Sequence, residues 1–338
     1  MLDGAARPIK VSSANNLRMF FFLIGYRNLG ESVVILFIDM ATDKVVYSIV
    51  NDCYVNHHEN ITKQILEDYN VKPLSLLCWT HPDLDHSVGL APIVEEHCTE
   101  ESQIILPEYF HGVPEDIVTV NNQDEKNVVD QIFNLNNKNG HVLTHISVSD
   151  RSHEIDNVRF EGMVDNTILT VSVDALTPKS FRVSPMHREG KKYSLKNDIS
   201  ISTILNVDDY YFYLGGDATN QMINDTLSGY LRKCRFIKVP HHGSPTASDL
   251  IQDLGKNVDT ACFTKKTKKL PDMEVVKDYK ENAQCVGLTG DKDHIRENHG
   301  IILYEYDFSG EDIKVTVTPY DNAYILKGDK YGQSYNYL

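Results

Sequence analysis

The chain has 338 residues, 41% of them hydrophobic, and a formal net charge of −15. That length and apolar content suffice for a substantial core in one large domain or two ordinary ones, while the acidic balance argues against a broad basic surface for nucleic acid. Six cysteines (Cys53, Cys78, Cys98, Cys234, Cys262 and Cys285) are scattered without CxxC spacing, which fits reduced thiols in the cytosol better than a disulfide framework or a zinc knuckle.

Two short β-rich apolar runs, 19–25 and 32–38, flank residues 26–31 and predict a hairpin over 17–39. The first run is too short to span a membrane and no small-residue cleavage site follows it, so a soluble, cytoplasmic protein with no membrane partner is expected. A strand at 45–49 follows. Residues 59–69 place Ile61, Ile65, Leu66 and Tyr69 on one helical face. Next come a buried strand at 74–79, a helix at 88–97, a strand at 103–106 and a helix at 123–136. Short alternating runs from 142 to 183 predict strands, and the basic, Gly190-containing stretch 188–196 predicts a loop. The strands at 199–205 and 210–214 should pair as a hairpin. A helix near 221–231, a strand at 235–239, a helix at 248–254, a strand at 260–264, a helix at 273–281 and strands at 285–289 and 301–306 complete the pattern. Strands then helices, twice over, predict an α+β sandwich of two mixed sheets flanked by helices. There is no internal repeat, and the domain is expected over 10–325, with 1–9 and 326–338 as terminal extensions.

The most informative stretch is Thr80-His81-Pro82-Asp83-Leu84-Asp85-His86-Ser87-Val88-Gly89. It lies between a predicted buried strand and a predicted helix, so His81, Asp83, Asp85 and His86 crowd one tight turn. Imidazole and carboxylate are the ligands expected for zinc, manganese or iron. Gly89 suits a chain that must pass close to such a site. Asp83, Asp85 and Ser87 would also serve as helix caps, but a cap does not need two flanking histidines. By contrast, His57-His58 precedes an amphipathic helix and is expected at the surface, and His187, His294 and His299 are expected in solvated loops.

The 80–90 stretch resembles the metallo-β-lactamase-fold signature Thr-His-x-His-x-Asp-His-x-x-Gly, with Asp83 where the second histidine usually stands. Tyr211-Phe212-Tyr213-Leu214-Gly215-Gly216-Asp217 resembles the apolar strand that ends in the family's metal-bridging aspartate. Lys238-Val239-Pro240-His241-His242-Gly243-Ser244 resembles the Val-x-His-His-Gly-Ser element of the ComEC-type branch, the nuclease-like domain of competence DNA-uptake proteins. Weaker echoes lie at Gly30-Glu31-Ser32 and Asn197-Asp198-Ile199-Ser200, so the resemblance runs from about residue 17 to about residue 306.

The resemblance implies an αββα sandwich with one or two divalent ions (manganese or zinc, possibly magnesium). His81 and Asp83 would belong to one ion and Asp85 and His86 to the other, with Asp217 bridging. His242 would complete the first site and His241 face the substrate phosphate, or the reverse. Asp85, Asp217 and His241 would then serve catalysis, with a hydroxide held between the ions as nucleophile. Asp83 in place of histidine tilts the preference from zinc toward manganese or magnesium.

One departure stands out. The histidine expected after the 260–264 strand is replaced by Lys265-Lys266-Thr267-Lys268-Lys269-Leu270-Pro271, so the second site could be weak, empty, or completed by His294 or His299. Lys265, Lys266, Lys268 and Lys269, with Ser244, could contact a phosphate backbone, or the lysines could be a solvated loop. The expected function is phosphodiester hydrolysis, foremost as a DNA nuclease in DNA processing or defence. A small phosphodiester substrate and a degenerate regulatory module, with or without a protein partner, are the alternatives.

Overall fold

The computed structural model describes residues 6–26, 29–56, 59–108, 130–132, 134, 143–149, 151–183, 196–226, 228–256, 258–267, 269–290, 299–310 and 312–328. In chain order the strands are β1 (Arg7–Val11), β2 (Leu17–Tyr26), β3 (Gly30–Asp39), β4 (Lys44–Asn51), β5 (Leu76–Cys78), β6 (Gln103–Pro107), β7 (Leu143–Ile146), β8 (His153–Gly162) and β9 (Ile168–Ala175). They continue with β10 (Thr203–Val207), β11 (Tyr210–Leu214), β12 (Cys234–Lys238), β13 (Val258–Phe263), β14 (Ala283–Leu288), β15 (Gly300–Asp307), β16 (Lys314–Asp321) and β17 (Tyr324–Lys327).

They form two mixed sheets, one in the order β1-β8-β9-β10-β11-β12-β13-β14-β17 and the other β16-β15-β2-β3-β4-β5-β6-β7. The period-2 alternation of β2 shows how the layers arise. Met19, Phe21 and Leu23 face the core between the sheets, while Phe22, Ile24 and Tyr26 face the helices Ile61–Asp68 and Leu90–His97. On the other sheet, Phe212 and Phe236 point between the sheets, and Tyr213 and Ile237 join an outer cluster with Tyr279 of helix Met273–Asn282. The architecture is therefore α+β, two sheets face to face with helices outside. No helix among the described residues is long and apolar enough to cross a membrane.

Strands β4 to β7 run parallel, as do β11 to β14. The C-terminal ends of β4, β5, β11, β12 and β13 gather at one edge of the sandwich, and the loops leaving them carry Asp52, His81, Asp83, Asp85, His86, Asp217, His241, His242 and Lys266.

Several sequence expectations are corrected in detail. Residues 199–205 are not one strand: Lys196–Ile199 is a 3₁₀ turn and β10 starts at Thr203. The intervening backbone is spent on the site edge, where the Ile201 amide donates to the Thr80 carbonyl at 2.9 Å. The 221–231 helix is two short ones, Asn220–Asn224 and Ser228–Leu231. Strands β1, β16 and β17 went unpredicted because they are exposed or half-buried and carry charge; β1 and β17 bring residues 7–9 and 326–327 into the sheet, outside the expected boundaries. Most of the 123–136 helix and of the 188–196 loop lies outside the described residues.

Phe236 sits at the centre of the inter-sheet core, its ring 4.5 Å from Phe21, 5.5 Å from Phe212 and 5.2 Å from Tyr304, centroid to centroid. Phe236→Ala removes one aromatic from both sheets' contact and should cost about 3–5 kcal/mol. Urea unfolding checks this; a loss below about 1 kcal/mol would show that the sheets are not held together there.

Candidate metal centre

The 80–90 turn is built by its own side chains. The Thr80 amide and hydroxyl donate to the two Asp52 oxygens at 2.7 and 2.6 Å, pinning the end of β5 to the end of β4. Trp79 Nε1 donates to Ser87 Oγ at 2.9 Å, and Ser87 Oγ donates to the Asp83 carbonyl at 2.7 Å. The one-turn helix Leu84–Ser87 then buries Asp85 and His86. Glycine is required at position 89, as expected: a Cβ there would lie 2.4 Å from Cys53 Sγ and 2.8 Å from the Tyr54 backbone.

The other ligand loops are as constrained. Gly216 has φ +52°, and its amide neighbour Asp217 N donates to Ser200 Oγ at 2.9 Å. His241 and His242 both adopt left-handed backbone (φ 50° and 53°), a conformation that costs a non-glycine residue about 1–3 kcal/mol. The His241 amide donates to the Gly216 carbonyl at 3.0 Å, which ties this loop to the Asp217 loop.

These loops bring seven sequence-predicted residues together. Asp217 lies between two groups. Its Oδ1 is 3.4 Å from His86 Nε2 and 3.8 Å from His242 Nε2, and both imidazole nitrogens approach Asp85 Oδ2, at 3.3 and 3.1 Å. Its Oδ2 is 3.8 Å from His81 Nε2 and 4.0 Å from His241 Nε2, and His81 Nε2 is 3.6 Å from Asp83 Oδ2. One expectation is corrected here: His242 belongs with Asp85 and His86, not with His81 and Asp83. Of the two neighbouring histidines, His242 is buried and His241 is partly exposed.

A layer of carboxylates that the sequence did not single out as functional orients the imidazoles. Asp52 Oδ2 is 2.7 Å from His86 Nδ1. Glu31 Oε2 is 3.1 Å from His242 Nδ1, which also lies 2.9 Å from Thr264 Oγ1. Glu31 in turn accepts hydrogen bonds from Lys238 Nζ and Thr264 Oγ1. Such partners fix ring orientation and leave Nε2 to face the centre. Glu31 carried only a weak signal, the Gly30-Glu31-Ser32 echo; Asp52 carried none.

The electrostatics follow from burial and proximity. Burial alone would raise the Asp217 carboxyl, but the adjacent His86 and His242 hold it well below the usual carboxylate range. Burial works against a charged His86, yet Asp217 and Asp52 raise it well above an ordinary imidazole. Glu31 is likewise lowered against its burial by Lys238 and His242. His241, nearer the surface, is lowered chiefly by burial.

The remaining predicted residues lie as follows. Lys265 is buried, and Lys266 turns inward, its Nζ donating to Asp85 Oδ2. Lys269 is exposed and Lys268 lies outside the described residues. Lys265 and Lys266 therefore do not stand in the surface strip expected of a phosphate-backbone path. Ser244 is also corrected: it is buried and caps the turn Pro245–Ala247 by accepting from the Thr246 amide at 3.3 Å. His299 Nε2 lies 3.1 Å from Asp321 Oδ2 and its Nδ1 3.9 Å from Glu59 Oε2. His57, His58, His187 and His294 lie outside the described residues.

Three buried atoms, His81 Nε2, His86 Nε2 and Asp217 Oδ1, have no hydrogen-bond partner among the described residues. Buried polar groups are almost always satisfied, and imidazole nitrogens converging with carboxylate oxygens are a divalent-cation donor set. Asp85, His86, Asp217 and His242 could thus hold a metal ion, their ligand atoms all lying within 4.8 Å of one another. No family model matches this chain, and no curated protein matches it.

Ion uptake has a pH dependence whose sign follows from His86. Without an ion, His86 keeps its proton to higher pH than a free imidazole, and an ion must expel that proton to bind. Affinity for Mn²⁺ should therefore climb as pH rises toward the raised His86 value and level off above it. Calorimetric titration in buffers of differing ionisation enthalpy should show proton release at pH 7; uptake with none would contradict the assignment of His86 as a ligand.

Proposed function

We propose that this chain is a metal-dependent phosphodiester hydrolase with a metallo-β-lactamase-like centre. The observation that carries the reading is Asp217, whose two oxygens face two separate imidazole-and-carboxylate groups as a bridging carboxylate would. Bound divalent ions would supply Lewis acidity to a phosphoryl group and lower the pKa of water. The oxygen-rich donor set favours manganese, then zinc.

The chain's own residues supply the rest. Asp83, His241 and Lys266 have partly exposed side chains, whereas His81, Asp85, His86, Asp217 and His242 are buried, so the first three line the opening toward solvent. His241 Nε2 is 3.1 Å from Asn197 Nδ2 and its Nδ1 is 2.9 Å from Thr246 Oγ1, which fix the ring at that opening. Held neutral by burial, His241 can take a proton from a substrate-side group at pH 7. The nuclease form of this reading is supported by the His-His-Gly-Ser resemblance. A small phosphodiester is favoured instead by the inward Lys266 and buried Lys265, which leave the acidic chain without its most basic candidate strip. Six free, buried cysteines suit a reducing compartment such as the cytoplasm.

Incubation with labelled single- and double-stranded DNA and with a chromogenic phosphodiester, across Mn²⁺, Mg²⁺, Zn²⁺ and chelator, tests the reading. Metal-dependent release from at least one substrate is expected, lost by at least about 10³-fold in Asp217→Ala. His241→Ala should lower kcat by about 10²-fold while keeping its ion. Turnover unaffected by chelator, or by Asp217→Ala, would refute the proposal.

A further inference from the structure

Asp52 is held more firmly than its place behind His86 alone requires. It follows β4 with φ 58°, a left-handed backbone that is costly for any residue but glycine, and it is buried. Backbone bonds keep it there. The Asp52 amide donates to the Cys78 carbonyl at 2.9 Å, the Cys53 amide to the His86 carbonyl at 3.1 Å and the Gly89 amide to the Cys53 carbonyl at 3.0 Å. The carboxylate is thereby fixed against both ends of the 80–86 turn, where the His81 and His86 rings lie side by side with centroids 4.2 Å apart.

Hydrogen-bond direction then decides where the ring protons sit. A carboxylate only accepts, so His86 Nδ1, 2.7 Å from Asp52 Oδ2, carries a proton. Thr80 Oγ1 spends its single hydrogen on the same oxygen at 2.6 Å, so toward His81 Nδ1, 3.0 Å away, it can only accept. His81 Nδ1 therefore carries a proton too. The other contact of that nitrogen, Ser200 Oγ, is longer at 3.5 Å, and Ser200 Oγ already accepts from the Asp217 amide at 2.9 Å. His81 Nε2 is left 3.6 Å from Asp83 Oδ2 and 3.8 Å from Asp217 Oδ2, and neither it nor His86 Nε2 has a hydrogen-bond partner among the described residues.

We propose that Asp52 is a positioning residue for both imidazoles, acting on His86 directly and on His81 through the Thr80 hydroxyl. Each ring then holds a proton on Nδ1 and turns Nε2, as an electron-pair donor, toward Asp217. The inference rests on the metal-centre reading above and adds how its imidazoles are prepared: one buried carboxylate serves rings on both sides of Asp217. Outer partners of this kind set tautomer and ring orientation. A change at Asp52 therefore reaches both rings at once, whereas a change at the Thr80 hydroxyl reaches His81 alone.

Long-range ¹H–¹⁵N spectra of the imidazoles in chelator-treated protein, at alkaline pH where each ring carries one proton, read the proton positions without ion or substrate. Native protein and Thr80→Ser should both hold the His81 proton on Nδ1. Thr80→Val, which keeps the side-chain shape and the backbone bond to Asp52, should lose that preference at His81 and leave His86 as in the native protein. Asp52→Gly removes the carboxylate while suiting the left-handed backbone. It should free both rings and weaken Mn²⁺ binding by about 10–100-fold, measured by equilibrium dialysis. Circular dichroism confirms that each variant is folded, and Thr80→Val decides by itself where Asp52→Gly is not. An Nε2-protonated His81 in the native protein, or a native His81 spectrum in Thr80→Val, overturns the relay. Folded native protein that binds no Mn²⁺ overturns the metal centre instead, with the proton positions still deciding the relay.

Discussion

The site depends on a buried ion pair between the two sheets. Glu31 opens β3 in one sheet, Lys238 closes β12 in the other, and both are almost fully buried. Desolvating two charges is costly, and such a pair persists only when its remaining hydrogen-bonding capacity is met. Here Thr264 Oγ1 donates to Glu31, His242 Nδ1 lies beside it, and Lys238 Nζ reaches the Gly216 carbonyl at 3.4 Å. The pair therefore sets the spacing of the sheets at this edge and aims His242. Asp52 does the same for His86 from β4, with Thr80 sharing its oxygens. Two buried carboxylates thus hold two imidazoles with their Nε2 atoms toward Asp217.

The left-handed His241-His242 pair has a physical role in this arrangement. In extended or helical backbone the two side chains would diverge differently from the strand end. With both residues at positive φ, one ring enters the buried group and its neighbour stands at the opening. The cost is offset by backbone hydrogen bonds from the His241 amide to Gly216 and from the Ser244 amide to His241. Divergent roles for adjacent residues thus arise from conformation rather than residue type.

Much of the fold was legible because the buried strands carry strong patterns. The β2–β3 hairpin, helix Ile61–Asp68 and the β10–β11 hairpin all follow from alternation or helical spacing in their own residues. The metal-ligand candidates were legible too, since His81, Asp83, Asp85 and His86 fall in one short stretch. What stayed hidden depends on distant pairing. Asp52 looks like any acidic residue after a strand, and only the parallel register of β4 with β5 places it under His86. Lys266 read, with three other lysines, as a phosphate contact or a solvated loop; the Leu270 turn that directs it inward has no apolar periodicity to reveal it. The pairing of His242 with Asp85 rather than His81 likewise depends on how the sheets face each other.

The strand order carries a consequence for synthesis of the chain. β1 comes first among the described strands, yet it pairs with β8 in the opposite sheet from β2, while β2 lies between β3 and the late strand β15. No single cut divides the polypeptide into its two sheets. A nascent chain that has made β2 to β7 still presents an open, strongly apolar β2 edge until residues 300–307 arrive. Pairings that span nearly the whole chain are slow to close, and an uncovered edge of this kind invites pairing with other chains. The topology thus leaves a long apolar strand edge unpaired until the last third of the described strands is made.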